Sequence, residues 1–449
     1  MQNYSEDLLI LSPLLFLLNC GFHICFSSSK KSVILFKMEK LEKRKSSMVV
    51  NVIGMGYIGL PTALMMASHG VNVIGTDYNK DLVHGLQTGG KVFEEHGLSD
   101  LFAEAVEKGI QFSDRYQKAD IYIVSVPTPY LKKSRKIDPK YVVSACKSVL
   151  EICGDGAILV VESTISPGTI DHCVRPLVGE RNIHLAHAPE RIIPGNMLHE
   201  LINNSRTIGA DDPETAETVK SLYSSFCKGE IVITDIRTAE MSKVVENTFR
   251  DINIAFANEL TKICHEAGMD VYEVIRIANR HPRVNILNPG PGVGGHCISV
   301  DPWFLVGDFP NMTPLIHSAR NVNDSMPEYV YKRISEIMEE KGIRDFSRVG
   351  LYGLTYKEDV DDTRESPTLQ LIDVLRHKTT DHFPVVYDPF IKKDMVQNQV
   401  HSLTDFLEKT DFVVIMVGHS EIKNDPESLK GKIILDTRNM ISLDGVYKL

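Results

Sequence analysis

Residues 48–79 read MVVNVIGMGYIGLPTALMMASHGVNVIGTDYN, and the fold turns on how that run is parsed. An apolar strand over Val49–Ile53 leads straight into GMGYIG, which sets Gly54, Gly56 and Gly59 in the GxGxxG spacing with Tyr57 and Ile58 inside the turn. A helix through Ala63, Leu64, Met66 and Ala67 follows, then a second strand from Val71 to Ile74 and an acid at Asp77. Glycines alone are a weak signal. Strand, turn, helix and trailing acid together predict a dinucleotide-binding βαβ unit. Its turn brings backbone close to a pyrophosphate on the helix N-terminus, and Asp77 can hold ribose hydroxyls. An acid there repels a 2′-phosphate, so NAD is favoured; a nucleotide-free layer of the same fold is the plainer alternative.

Working outward, strands over 121–126 and 157–161 end in SVPTP (125–129) and ESTISPGT (162–169). Thr128 and Thr164 thus stand at strand C-termini, where ligands of open parallel sheets bind, although ordinary turns account for them equally well. HLAHAPERIIPG (184–195) adds Glu190 and Arg191, suited to a polar pocket or to a surface pair. Residues Thr238 to Ala267 predict one long amphipathic helix, with Met241, Val245, Phe249, Ile252, Phe256, Leu260 and Ile263 at spacings of three and four. Lys243, Asn247 and Arg250 align on another face. Such a stripe is ordinarily solvated surface, but two cations and an amide also suit an anionic substrate.

A helix over Val271–Ala278 leads to PGPGVGGHCISVDPWF (289–304). Gly290, Gly292, Gly294 and Gly295 allow a sharp bend, Cys297 ends the turn, and Asp301 follows four residues on. A thiol so presented among backbone N–H groups suits a nucleophile facing an oxyanion; an inert loop cysteine is the alternative. Helices are expected over 314–323 and 328–341. SRVGLYGLTYKEDVDDTRESP (347–367), VVYDP (385–389), DFVVIMVGHS (411–420) and KIILDTRN (432–439) then repeat the strand-and-turn alternation. The expected architecture is α/β, with two Rossmann-like, doubly wound parallel-sheet domains joined by a helical segment. The expected bounds are 48–237, 238–325 and 326–449.

A net charge of −10 argues against a general nucleic-acid binder. The eight cysteines form no CxxC pair and no zinc spacing, which predicts a reducing, cytoplasmic setting and no structural metal. Leu8 to Phe26 is apolar, yet Glu6 and Asp7 precede it, Pro13, Asn19 and His23 interrupt it, and no cleavage site follows. Residues 1–47 are therefore expected to be an extension outside the fold.

The order GMGYIG, VPTP, APER, AEMSKVVENTFRD, GPGVGGHC, YKEDVDDTRESP resembles the UDP-glucose/GDP-mannose dehydrogenase family over about residues 48–449. Within it, NRHPRVNILNPGPGVGGHCISVDPWF is most similar to members acting on UDP-N-acetyl-D-mannosamine, whereas UDP-glucose members usually carry a small residue where His296 stands. Pro194 departs from the acid those members have. The resemblance implies oxidation of a UDP-sugar C6 hydroxyl to a carboxylate with two NAD, serving surface polysaccharide synthesis. It assigns Cys297 a thiohemiacetal and a thioester, Lys243 and Asn247 the protons and oxyanion, Asp301 a water, and Glu190 help in hydrolysis; Lys243 and Asp301 can exchange the role of base. It places Arg191, Ile192, Arg250, His281, Arg283 and Gly294 near sugar and diphosphate, Tyr356, Lys357 and Arg438 on the uridine nucleotide, and Arg364 on NAD. It also makes the long helix a homodimer core. UDP-N-acetylglucosamine or UDP-glucose remains an alternative substrate. A two-electron β-hydroxyacid dehydrogenase would need neither Cys297 nor the second sheet, and a non-catalytic nucleotide-sugar-binding regulator would not need so full a set of catalytic residue types.

Overall fold

The computed structural model describes residues 48–90, 93, 95–378 and 383–449; the expected N-terminal extension lies outside the described residues. The first sheet has eight strands: β1 (Val49–Ile53), β2 (Asn72–Thr76), β3 (Gln111–Ser113), β4 (Ile121–Val124), β5 (Ile158–Val161), β6 (His184–His187), β7 (Arg206–Ala210) and β8 (Ile231–Thr234). Their order is β3-β2-β1-β4-β5-β6-β7-β8, parallel throughout except where β7 runs against β6. The first six follow the dinucleotide-binding order, with the reversal of direction between β1 and β4 opening a crevice at the strand C-termini. Helix α1 (Gly59–Ser68) connects β1 to β2. β2 runs beyond the expected end at Ile74 because Gly75 stays in register with Val52 and Phe112, where a Cβ would lie 2.6 Å from the Met55 sulfur. β4 stops before its expected end at residue 126: Ser125 N–H still reaches Ile53 O at 2.8 Å, but Val126 N–H turns aside to Ser163 Oγ.

The second sheet comprises β9 (Val349–Tyr352), β10 (Val385–Tyr387), β11 (Gln399–Val400), β12 (Phe412–Ile415), β13 (Ile433–Asp436) and β14 (Tyr447–Lys448), all parallel in the order β11-β10-β9-β12-β13-β14. Counted from its own first strand, this is the same order as in the first sheet. Both faces are covered, as doubly wound sheets require. Val349, Leu351, Val414 and Leu435 pack with Val330, Ile334, Leu371 and Leu375, while Tyr352, Tyr387, Val413 and Ile415 pack with Phe406 and Ile422 on the other side.

Between the sheets run α2 (Ile236–Glu266), α3 (Val271–Ala278), α4 (Asp301–Asp308), α5 (Pro314–Asp324) and α6 (Met326–Lys341). The Asp235 side chain caps α2, accepting from Thr238 N–H at 2.9 Å. The orientation of α2 inverts the ordinary rule for an amphipathic helix. Glu240, Lys243, Asn247, Asp251, Asn258 and Thr261 are buried, whereas Val245, Phe249, Phe256 and Ile263 are exposed, Phe249 to 65%. Of the expected polar stripe, Lys243 and Asn247 therefore face inward and Arg250 outward. No helix among the described residues is long and apolar enough to cross a membrane. Leu351, fully buried in the centre of the second sheet, offers a test of this core. Leu351→Ala is expected to cost about 2–5 kcal/mol, read as a lowered midpoint of thermal unfolding.

Candidate active site

The glycine turn after β1 is built for close approach. Gly54 has φ +95°, and a Cβ on it would lie 2.2 Å from Ser125 O; one on Gly59 would lie 1.9 Å from Gly54 O. Above Gly56, by contrast, nothing stands within 4 Å. No side chain caps the N-terminus of α1 and no acid occupies its first turn, so its free N–H groups and positive dipole end are open to an anion. Asp77 braces the turn, with Oδ2 accepting from Met55 N–H at 2.8 Å and Oδ1 from Asn79 N–H at 2.9 Å. Thr128 and Thr164 stand half-buried past the ends of β4 and β5. An open cradle, an uncapped helix terminus and an acid at the end of β2 fit a dinucleotide, with its pyrophosphate over Gly56 and a ribose toward Asp77.

Cys297 is reachable by solvent, although protein packs closely around it. That enclosure raises its thiol pKa and the Asp301 charge adds to the rise, while Lys243, Arg364 and Arg250 pull it down. Asp301 opens α4, and its N–H and that of Val300 donate to the Cys297 carbonyl at 2.8 and 3.1 Å. Burial pushes the Asp301 carboxyl up to about 6, against the opposing pull of Lys243 and of a 2.6 Å hydrogen bond from Asn247 Nδ2. Lys243 is only 6% exposed as a residue, and its ammonium makes no hydrogen bond or ion pair among the described residues, which leaves its three donors to a ligand. The thiol, the carboxylate and the cation thus converge from α2 and the cysteine loop.

The domain of the second sheet packs against the loop that carries Cys297. A Cβ on Gly294 would lie 2.7 Å from Tyr356 Cβ, and one on Gly295 (φ +85°) 2.8 Å from Tyr356 Cε2, so the loop rests directly on Tyr356. Burial pushes the Tyr356 phenol up to about 12, with Asp362 and Cys297 adding to the shift. Gly295 N–H donates to Arg364 O at 2.9 Å. The Arg364 guanidinium pairs with Asp362 and lies 5.6 Å from the centre of the Tyr57 ring, so it bridges to the glycine turn. Lys357 Nζ reaches Pro194 O at 2.8 Å, and the Arg438 guanidinium lies against Gly290.

The chain matches the NAD binding domain of the UDP-glucose/GDP-mannose dehydrogenase family over residues 48–227, its central domain over 237–325 and its UDP binding domain over 350–443. It belongs to that family. Among relatives, it is 44% identical over 418 residues to the UDP-N-acetyl-D-mannosamine dehydrogenase of Methanococcus vannielii, covering 90% of this chain and 96% of that one. Among solved structures, it is similar to the UDP-D-ManNAc dehydrogenase of Pyrococcus horikoshii, with TM-score 0.82, 36% identity, and coverage of 89% of this chain and 98% of that one. The UDP-N-acetyl-mannosamine dehydrogenase of Staphylococcus aureus matches with TM-score 0.80 at 40% identity, covering 89% and 98%. The chain is a nucleotide-sugar dehydrogenase with the family's NAD-binding domain at one end and its UDP-binding domain at the other.

Other expected site residues of this dehydrogenase are engaged with partners of their own or lie exposed. Glu190 accepts from Arg191 N–H at 2.7 Å and pairs with the buried Arg206, which also meets Glu162 and lies 4.1 Å from the centre of the Tyr223 ring. Arg191 is tied to Glu246, to Ser205 O and to Thr207 Oγ1, with Ile192 buried beside it. His281 and Arg283 are exposed beyond α3, and no hydrogen bond or ion pair joins them to Cys297, Lys243 or Asp301 among the described residues. Sequence reading passed over Glu162, whose carboxyl burial pushes up to about 7, and Arg206. The available signal was a charged residue beginning the otherwise uncharged strand RTIGA.

The Asn247 hydrogen bond favours the charged form of Asp301, so its removal raises the carboxyl further. Asn247→Ala is therefore expected to move the acid limb of the kcat/KM profile to higher pH from about 6; a limb that stays in place would show that Asp301 does not control it.

Proposed function

We propose that this dehydrogenase oxidises the C6 hydroxyl of UDP-N-acetyl-D-mannosamine to the carboxylate, through a Cys297 thioester. The observation that carries the reading is the convergence of an accessible thiol, an unpaired buried ammonium and a carboxyl pushed up to about 6 on a loop that rests on the UDP-binding domain. Similarity to UDP-N-acetyl-D-mannosamine dehydrogenases of M. vannielii, P. horikoshii and S. aureus supports this substrate. NAD, when bound over Gly54, Gly56 and Gly59, supplies a hydride acceptor for each of the two oxidations.

Asp301, ionised at neutral pH, takes the C6 hydroxyl proton, and Lys243 donates to the aldehyde oxygen that results. The Cys297 sulfur bonds to the aldehyde carbon while its thiol proton passes to that oxygen, giving a thiohemiacetal. Asp301, having released the first proton to solvent, then takes the hydroxyl proton as the carbon reaches the thioester level. Once Asp301 has released that proton to solvent as well, water adds with Asp301 as base, the C–S bond breaks, Asp301 returns the proton to the sulfur and the acid leaves. The two Glu190 oxygens are already engaged by Arg206 and Arg191 N–H, so its part in hydrolysis is orientation. Arg250, with Tyr356, Lys357 and Arg438, would hold the diphosphate and uridine, Gly294 leaves room for the sugar, and Arg364 would reach NAD. Arg191, His281 and Arg283 would join them only by moving from their present partners or positions.

The exposed line Val245, Phe249, Phe256 and Ile263 supports a homodimer built on α2, since so long an apolar stripe is seldom left to water. The described cysteines are all free, in keeping with a cytoplasmic enzyme that makes an acidic sugar for surface polysaccharide. Purified protein given UDP-N-acetyl-D-mannosamine, UDP-N-acetylglucosamine and UDP-glucose is expected to oxidise the first preferentially, with two NADH per sugar. No activity on the mannosamine sugar would reject the substrate, and one NADH per sugar the thioester route. Cys297→Ser is expected to lower acid formation at least about 100-fold.

A further inference from the structure

The segment from Gly290 to Asp301, which carries Cys297, is held at both ends by one face of α2. At the far end Asn247 Nδ2 donates to Asp301 Oδ2 at 2.6 Å. At the near end Gly290 N–H donates to Asn258 Oδ1 at 2.9 Å. Asn247 and Asn258 lie about three helical turns apart, and the segment runs antiparallel to the helix between them. Between these two anchors Gly295 N–H donates to Arg364 O.

An asparagine can present either its oxygen or its nitrogen, so something must decide which one faces Gly290. A buried relay makes that choice. Arg320, a donor only, gives Nη1–H to Asp251 Oδ1 at 2.6 Å. Asp251, paired with that cation and accepting only, also takes Asn323 Nδ2 at 2.8 Å. This turns Asn323 Oδ1 toward Asn258, whose Nδ2 donates to it at 2.8 Å. The one group left to face Gly290 N–H is the Asn258 oxygen. All four side chains are buried, so water does not replace these partners freely.

We propose that Asn258 is a positioning residue for Cys297, with its amide polarised by Asn323, Asp251 and Arg320. The relay fixes where the sulfur stands relative to Lys243 and Asp301. This rests on Cys297 being the nucleophile. Only the second oxidation needs sulfur at bonding distance from C6, and misplacement by about 1 Å can cost on the order of 100-fold. Loss of the Asn258 contact should therefore harm the second oxidation more than the first.

The test uses the full chain with Asn258→Ala, checked for folding by thermal unfolding. Four quantities are read: the rate of Cys297 alkylation by iodoacetamide in the free protein, the NADH formed per sugar, aldehyde trapped by hydroxylamine, and KM. The expected result is an alkylation rate changed at least about fivefold, trapped aldehyde, NADH per sugar falling from two toward one, and KM within about twofold. Unchanged alkylation with full conversion to acid would overturn the proposal, as would equal loss of both oxidations with unchanged alkylation. If Asn258→Ala does not fold, Asn323→Ala keeps Asn258 and removes its orienting partner, and the same outcomes decide. Cys297→Ser run alongside separates the two readings. Acid formed at the wild-type rate removes the nucleophile itself, whereas a stalled Cys297→Ser beside an Asn258→Ala that behaves as wild type removes only the positioning role.

Discussion

A carboxylate or carboxamide taken out of water without a partner costs about 1–3 kcal/mol, and more when charged. Helix α2 sets Glu240, Lys243, Asn247, Asp251 and Asn258 along a buried face, so much of the surrounding structure consists of segments that satisfy them. Glu240 takes the N–H groups of Gly168 and Ile170 from the NAD-binding domain. Asn247 takes Asp301, Asp251 takes Arg320 from α5, and Asn258 takes Gly290. Each polar group thereby fixes one incoming segment at one station along the helix. The station without a hydrogen-bond or ion-pair partner among the described residues is Lys243, whose charge acts on both Cys297 and Asp301.

Opposing effects of similar size set the chemistry there. Raising the Asp301 carboxyl from 3.8 to about 6 corresponds to about 3 kcal/mol against ionisation. A hydrogen bond to a charged group is worth about 1.5–3 kcal/mol, so the Asn247 contact adds to the larger pull of Lys243 in offsetting part of the burial penalty. The outcome is a carboxylate charged at neutral pH yet close enough to its midpoint to accept and release a proton. The thiol beside it is governed by the same burial, with three cations too far or too screened to reverse the sign.

The parts of the molecule that are local in sequence were the legible parts. β1, the glycine turn and α1 follow from propensity and steric necessity within some thirty residues, and the repeated strand order follows from right-handed crossovers. Helix α2 was found by its period, and the alignment of Lys243 with Asn247 was visible in the same period. Which side faced inward was not, because the usual inference sends Val245, Phe249 and Phe256 to the core. Asp251 and Asn258 share the spacing of Lys243 and Asn247 and were passed over, since without their partners they look like surface residues. The Glu162, Glu190, Arg206 and Tyr223 cluster draws on four distant stretches, and only the folded sheet brings them together. The same remoteness hid the engagement of Arg191 with Glu246 and Thr207.

The raised pKa of Cys297 has a bearing on how the protein withstands oxidants. Peroxide and most electrophiles react with the thiolate, and a thiol kept protonated offers them little of it. Burial therefore keeps the sulfur largely in its thiol form, although solvent reaches it. A thiohemiacetal forms when an incoming carbonyl brings its carbon to the sulfur and its own oxygen takes the thiol proton. Substrate geometry meets that condition; small diffusing oxidants do not.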